Sequence, residues 1–275
     1  MNYRPIPLSR PRRFITDLMA AAAAVPSVPV QRRMNLAAVA AARTAAAGRP
    51  GWPAVFLKAY AAVADRTPAL RRAFVRLPWG RLVEYPTSVA SVAVEREYEG
   101  EPAVFFGRIK SPADLTVGEL DALVRGFATD PVGEVKAFRQ LLRLAGLPGP
   151  VRRAALWLGL NLPRARAGKF GTFGLSVYAS LGAESLHPIS PLTTTLTYGV
   201  IGPDGGVNVR LVYDHRVLDG AAVARALADL EAELNGPVAA ELRRAAADES
   251  ARGPDGRGGV SRLEVVVSPR ERLRR

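Results

Sequence analysis

Between Gly206 and Asp214 apolar residues fall on every second position: Val207, Val209, Leu211 and Tyr213 alternate with Asn208 and Arg210. That period of two marks a strand with one face buried. The run Gly202-Pro203-Asp204-Gly205-Gly206 is a turn signal leading into it. A helical stretch follows Asp219-Gly220, from Ala221 to about Leu234, and is predicted to stop at Asn235-Gly236-Pro237. Upstream, Thr172 to Ser180 and Leu192 to Val200 read as strands, as do Thr87 to Glu97 and, after the Glu99-Gly100 turn, Ala103 to Ile109. The early chain is helical by pattern. Arg12 to Ala24 is stopped by Pro26 and Pro29, and Met34 to Ala47 ends at Gly48-Arg49-Pro50-Gly51. A third helix has Pro53 in its first turn and runs through Ala64. Thr116 is placed as the cap of a helix over Glu119 to Phe127. Helices concentrated early and strands late predict an α+β domain with a mixed or antiparallel sheet.

Composition narrows the chemistry. A chain of 275 residues that is 48% hydrophobic can bury one substantial core. It has no cysteine, which excludes disulfides, thiolate metal sites and Cys nucleophiles. With two histidines only, His187 and His215, no metal site is expected. The formal charge of +13 suits an anionic partner: a coenzyme A-like substrate, an anionic membrane surface or nucleic acid. No nucleic-acid-binding signature accompanies the charge, so nucleic acid is not favoured. The start is polar and Pro-rich, and no run approaches the ~20 apolar residues of a spanning helix. A cytoplasmic protein is expected, with contact to the membrane periphery as a second reading. From Glu249 onward the chain is rich in Gly, Arg and Pro. The expected organisation is a domain over 1–240 and a basic, largely disordered tail over 241–275.

The segment Asp214-His215-Arg216-Val217-Leu218-Asp219-Gly220 carries the candidate chemistry. His215 falls where a predicted strand ends and a helix begins, a junction that holds a side chain rigidly with one end open. An imidazole titrates near neutrality and suits the deprotonation of a thiol, hydroxyl or amine. A blander reading stands beside it, in which Asp219 caps the helix and His215 is a surface histidine.

The seven-residue string resembles the DHRxxDG motif of the dihydrolipoyl acyltransferase catalytic domain of 2-oxoacid dehydrogenase complexes. It is also similar to the HxxxDG element of chloramphenicol acetyltransferases. Further resemblance lies in Pro7 to Ile15, in Val25-Pro26-Ser27-Val28, and in Pro53 to Pro68 with Phe56-Leu57-Lys58-Ala59. Gly171-Thr172-Phe173-Gly174-Leu175-Ser176 looks like the family's GTFTxS strand, with Pro188-Ile189 following in order. The resemblance implies a chloramphenicol acetyltransferase-like two-layer sandwich that assembles as a homotrimer with active sites between subunits. His215 would be the general base, Ser176 the donor to the tetrahedral oxyanion, and Asp219 a carboxylate that holds the histidine loop, often through an arginine near the N-terminus. Arg12 is the best match for that arginine. Asp214 and Arg216 would hold the loop, and Thr172 and His187 would lie near substrate. No bound cofactor is implied; an acyl-CoA or other acyl thioester would be the substrate. A hydrolase reading with Ser176 as nucleophile is weakened by the lack of a G-x-S-x-G elbow. The same fold would also suit a catalytically silent trimeric scaffold or a membrane-associated binding protein.

Two departures from the family stand out. The chain opens almost at the resembling core, so a free-standing enzyme without its own lipoyl arm is expected. The second is a basic amphipathic insertion over 131–169. From Val135 to Phe170 it interleaves eight Lys and Arg residues with leucines and Trp157, has no acid, and is broken at Gly146 to Pro150 into two predicted helices. It fits either an interfacial element lying on an anionic membrane or a core-packed insertion with a solvated rim.

Overall fold

A computed structural model of the chain describes residues 1 and 3–252. The chain enters through α1 (Arg10–Ala22), β1 (Ser27–Asn35), α2 (Ala37–Ala45) and α3 (Trp52–Arg66). A small ribbon of β2 (Arg72–Val75) and β3 (Arg81–Glu84) follows, then the long hairpin of β4 (Val89–Tyr98) and β5 (Glu101–Lys110). Four helices come next: α4 (Val117–Thr129), α5 (Lys136–Ala145), α6 (Gly149–Asn161) and α7 (Pro163–Lys169). The chain then forms β6 (Phe173–Leu175), β7 (Thr194–Tyr198), β8 (Gly206–Asp214), α8 (Gly220–Glu233) and α9 (Ala239–Arg252). Among the described residues, one six-stranded sheet runs in the order β1-β8-β7-β6-β4-β5. β6 lies parallel to both neighbours and the other pairs are antiparallel, so the sheet is mixed and the class is α+β as expected.

Alternation along the strands separates two faces. On the inner face Phe173, Leu175, Leu196, Tyr198, Val209 and Leu211 are buried in one cluster with Phe56, Tyr60 and Val63 of α3 and Val223 and Leu227 of α8. Phe56 stacks on Tyr198 with ring centroids 4.0 Å apart, and the Tyr60 hydroxyl hydrogen-bonds Thr194 Oγ1 at 2.7 Å. A second cluster around the β5 edge joins Phe14 and Leu18 of α1, Phe105 of β5, Phe138 and Leu141 of α5, and Leu156 and Leu160 of α6. There Asp17 of α1 accepts hydrogen bonds from Arg152 and Arg153 of α6, and both Asp17 and Arg152 are buried.

Several expectations need correction. β1 was not predicted, because Pro29 reads as a helix stop. The residue sits in an edge strand, where a missing N–H is tolerated, and Ser27 to Asn35 pair in register with Asp214 to Gly206. The helix expected from Met34 therefore begins at Ala37. β6 is three residues long, and from Ser176 the chain leaves the sheet in a long loop to Thr193. The insertion holds three helices, not two, with Pro163 opening the third. The helix expected to stop at Asn235-Gly236-Pro237 instead passes through a π turn over Leu234–Val238 into α9. A π turn relaxes the hydrogen-bond ladder where Pro237 has no N–H, and burial of Leu234, Val238, Ala239 and Leu242 holds the continuation against the core. The tail expected from 241 thus begins inside α9; residues 253–275 lie outside the described residues. Among the described residues no helix is long and apolar enough to cross a membrane.

Candidate active site

β8 ends at Asp214 and α8 begins at Gly220, which places His215 on the turn between them. The turn is pinned from three directions. The buried Asp214 carboxylate accepts two bonds from the Arg216 side chain, at 2.9 and 2.7 Å, and one from its backbone N–H at 3.0 Å. The Val217 and Leu218 N–H groups donate to the Asp214 carbonyl at 2.9 and 3.1 Å. The His215 N–H donates to the Pro26 carbonyl at 3.0 Å, tying the turn to the start of β1. The Arg216 guanidinium in turn lies 4.7 Å from the ring centre of Phe74 in β2. Asp214 and Arg216 thus brace the turn against each other and against Phe74.

The His215 ring is 51% exposed, with Nδ1 3.1 Å from the Leu218 carbonyl oxygen. A carbonyl can only accept, so this bond assigns the proton to Nδ1 and leaves the Nε2 lone pair directed elsewhere. The Asp219 carboxylate stands further off, 3.8 Å from Nδ1, and is 89% exposed. Asp219 is the N-cap residue of α8 by backbone position, without a side-chain capping bond.

The other candidates are scattered, for reasons of topology. His187 Nε2 meets the Ser27 hydroxyl at 2.8 Å, so both histidines flank the Pro26-Ser27 corner. Thr172 is occupied structurally. Its hydroxyl accepts from the Val89 N–H at 2.9 Å and lies 3.2 Å from the Val89 carbonyl, joining the start of β6 to β4. Gly171 before it has φ of +100°, and a Cβ there would stand 2.9 Å from the Val89 oxygen, so glycine is required. Arg12 is exposed at the start of α1 and makes no side-chain hydrogen bond or ion pair among the described residues. α1 packs on β5 and α5, at the opposite edge of the sheet from β8, so one chain does not bring Arg12 to Asp219.

Arg166 carries no signal in the sequence that sets it apart. It is buried behind the histidine loop and donates to the Leu160 and Pro191 carbonyls at 3.0 and 2.6 Å. Burial pulls its guanidinium below the ordinary arginine value, opposed by Tyr85 and by Asp214. In a run of eight basic residues, nothing local distinguishes the two that turn inward, Arg152 and Arg166.

Ser176 follows β6 on the outer face of the sheet. Its N–H donates to the Leu196 carbonyl at 3.1 Å, and its hydroxyl has no hydrogen-bond partner among the described residues. The residue lines a cavity of about 600 Å³ between that face, α1 and α5. Among the described residues no group of three or more His, Asp or Glu side chains could hold a metal ion.

No family model and no curated protein sequence matches the chain. Solved structures do match its fold. The dihydrolipoamide acetyltransferase of Azotobacter vinelandii gives a TM-score of 0.61 at 19% identity, over 88% of this chain and 94% of that one. The truncated catalytic core of the 2-oxoacid dehydrogenase multienzyme complex from Thermoplasma acidophilum gives 0.62 at 17% identity, over 86% and 99%. A probable dihydrolipoamide acetyltransferase from Listeria monocytogenes gives 0.59 at 19%, over 86% and 95%. The chain has the dihydrolipoamide acetyltransferase fold.

At such identities the likeness is one of fold. Within this acetyltransferase fold the strand register sets the distance between the two candidate residues. Leu175 stands opposite Leu196 and Leu196 opposite Leu211, so Ser176 lies level with about Arg210 of β8. His215 is five residues further along that strand. The offset is roughly 16 Å along the strands and about 10 Å across them. In a single chain the imidazole and the serine are therefore roughly 20 Å apart.

Proposed function

We propose that this chain is an acyltransferase that moves an acyl group from a thioester donor, an acyl-CoA or an acyl group on a carrier or lipoyl arm, to a thiol, hydroxyl or amine. The observation that carries the reading is His215, held by its backbone and Nδ1 on a rigid turn with Nε2 free. Nε2 takes the proton from the acceptor as the acceptor atom attacks the thioester carbonyl. The carbonyl oxygen becomes an oxyanion to which the Ser176 hydroxyl donates. Collapse breaks the carbon–sulfur bond, and the leaving thiolate recovers the proton from Nε2. In the Azotobacter enzyme a serine, a histidine and an asparagine four residues after it have been investigated for their role in the catalytic mechanism. His215 and Asp219 have that spacing, with a carboxylate in place of the amide.

The separation of Ser176 from His215 favours a site completed by another copy of the chain, in a homotrimer with one subunit supplying the base and its neighbour the serine. Cations at the cavity edge, Arg143 and Lys169, suit the anionic carrier of a thioester. The membrane reading retains one supporting feature. α5 is packed into the core through Ala137, Phe138 and Leu141, but α6 leaves Val151, Trp157 and Leu158 exposed beside Arg153. That face is the surface proposed to touch an anionic bilayer, and failure to sediment with anionic liposomes at low salt would remove the proposal. The test of acyl transfer is thiol release from a panel of acyl-CoAs with candidate acceptors present. Release that needs an acceptor and disappears in His215→Ala supports the reading; equal release from both proteins contradicts it.

A further inference from the structure

We infer that the cavity beneath α1 is the acyl-group pocket and that the preferred acyl group is a bulky apolar chain, much larger than acetyl. This rests on the acyl-transfer reading above.

The cavity arises from side-chain size. On the outer face of the sheet the central positions are small: Ser91 and Ala93 of β4, Gly174 of β6 and Thr195 of β7 form its floor. The same strands carry Phe173, Leu175 and Leu196 inward. Above the floor stand long apolar side chains, Ile15, Leu18 and Met19 of α1 and Leu144 of α5. Small residues below and a helix held off by large ones leave about 600 Å³ empty. At ~30 Å³ for a water-sized group, that is room for on the order of ten or more methylene-sized groups. The Thr195 hydroxyl is buried in the wall with no hydrogen-bond partner. Gly174 keeps the floor open beside it, since a Cβ there would sit 3.2 Å from that hydroxyl. An unpaired buried hydroxyl is uncommon in a closed core and ordinary in the wall of a site that a ligand fills.

The placement selects the acyl chain as occupant. Ser176, the proposed oxyanion donor, lines the same cavity beside the floor residues, so a thioester carbonyl at Ser176 brings its acyl tail among the apolar side chains under α1. The lining is predominantly hydrocarbon, and the exposed cations that touch it, Arg143 and Lys169, leave the carrier rather than the tail near solvent. The Arg108 guanidinium, also in the lining, already donates to the Lys169 carbonyl and to Gln140, which fix its position in the wall.

Calorimetry on the full chain with S-alkyl coenzyme A thioethers of two to twelve carbons tests the inference, with turnover of the matching acyl-CoAs measured in parallel. Affinity should rise roughly fourfold per methylene over the middle of the series, at about 0.8 kcal/mol each, and then level off. Ala93→Phe, which fills the floor, should bring the levelling to shorter chains. Met19→Trp should do the same from the roof and guards against misfolding of the first variant. A flat series with brisk turnover of acetyl-CoA overturns the pocket and leaves acyl transfer standing. A rising series without turnover of any donor supports the pocket and sinks the transfer reading. If the series is flat and either variant changes the oligomeric state by sedimentation, the cavity is filled by another copy of the chain and the inference is wrong.

Discussion

The two faces of the central sheet are built from the same strands and have opposite packing. Inward, Phe173, Leu175, Leu196 and Tyr198 join the aromatic and aliphatic side chains of α3 in one buried cluster. Outward, one residue away on each strand, Ser91, Ala93, Gly174 and Thr195 leave a cavity. The period of two lets one strand serve stability on one side and a ligand on the other. Substitutions on the two faces should therefore separate folding from activity.

The largest separation is expected at the end of β8. His215→Ala should lower turnover about 100- to 10,000-fold with a much smaller effect on Tm, because the half-exposed ring makes one hydrogen bond, to the Leu218 carbonyl, and one edge contact, with Tyr213; a large loss of Tm with little loss of turnover by the folded protein would make His215 structural. On the inner face the outcome should be the reverse. Leu196→Ala, at a side chain with no exposure, should cost about 2–5 kcal/mol in urea melts and leave the turnover of the folded fraction near native. A cost under about 1 kcal/mol would mean the inner face is loosely packed. Ser176→Ala, on the outer face, should cost about 100- to 1,000-fold in kcat with KM little changed. A covalent acyl-serine trapped by mass spectrometry would instead make the residue a nucleophile.

The smallest effect should appear where α6 is held to α1. Burial alone would raise the Asp17 pKa, but the hydrogen bonds and charges of Arg152 and Arg153 hold it below the ordinary carboxylate value. A carboxyl depressed in the folded state contributes stability above its unfolded pKa of ~3.9 and loses it as pH falls through the folded value. Asp17→Asn should therefore melt below native protein at about pH 7, and the gap should close as pH falls below about 4. A gap that stays constant down to about pH 2 would show that the ion pair contributes no proton-linked stability.

Local patterning made much of the chain legible. Thr116 caps α4 as predicted, its hydroxyl accepting the Glu119 N–H at 3.2 Å while the Glu119 carboxylate accepts the Thr116 N–H at 2.8 Å. The alternation of Val207, Val209, Leu211 and Tyr213 became β8, and the string around His215 fell on the strand-to-helix turn. These features depend on neighbours within a few residues, so one stretch of sequence contains the cause.

What escaped the sequence depends on distant partners. β1 exists because β8 offers it a register, and Pro29 is harmless only because the strand is at an edge. The helix across Pro237 persists because a π turn and a buried apolar face compensate for the missing N–H. Arg166 and Arg152 turn inward because particular carbonyls and Asp17 await them, while their basic neighbours stay in water. The distance from Ser176 to His215 and the hollow beneath α1 are set by strand order and by which helix crosses which face. Sequence by itself determined β8, the capped α4 and the place of the histidine turn between strand and helix, since hydrogen bonding and periodicity act locally. Tertiary structure alone decided which side chains meet and where space is left, because those outcomes come from packing between segments far apart in the chain, as where Arg32 meets Glu231.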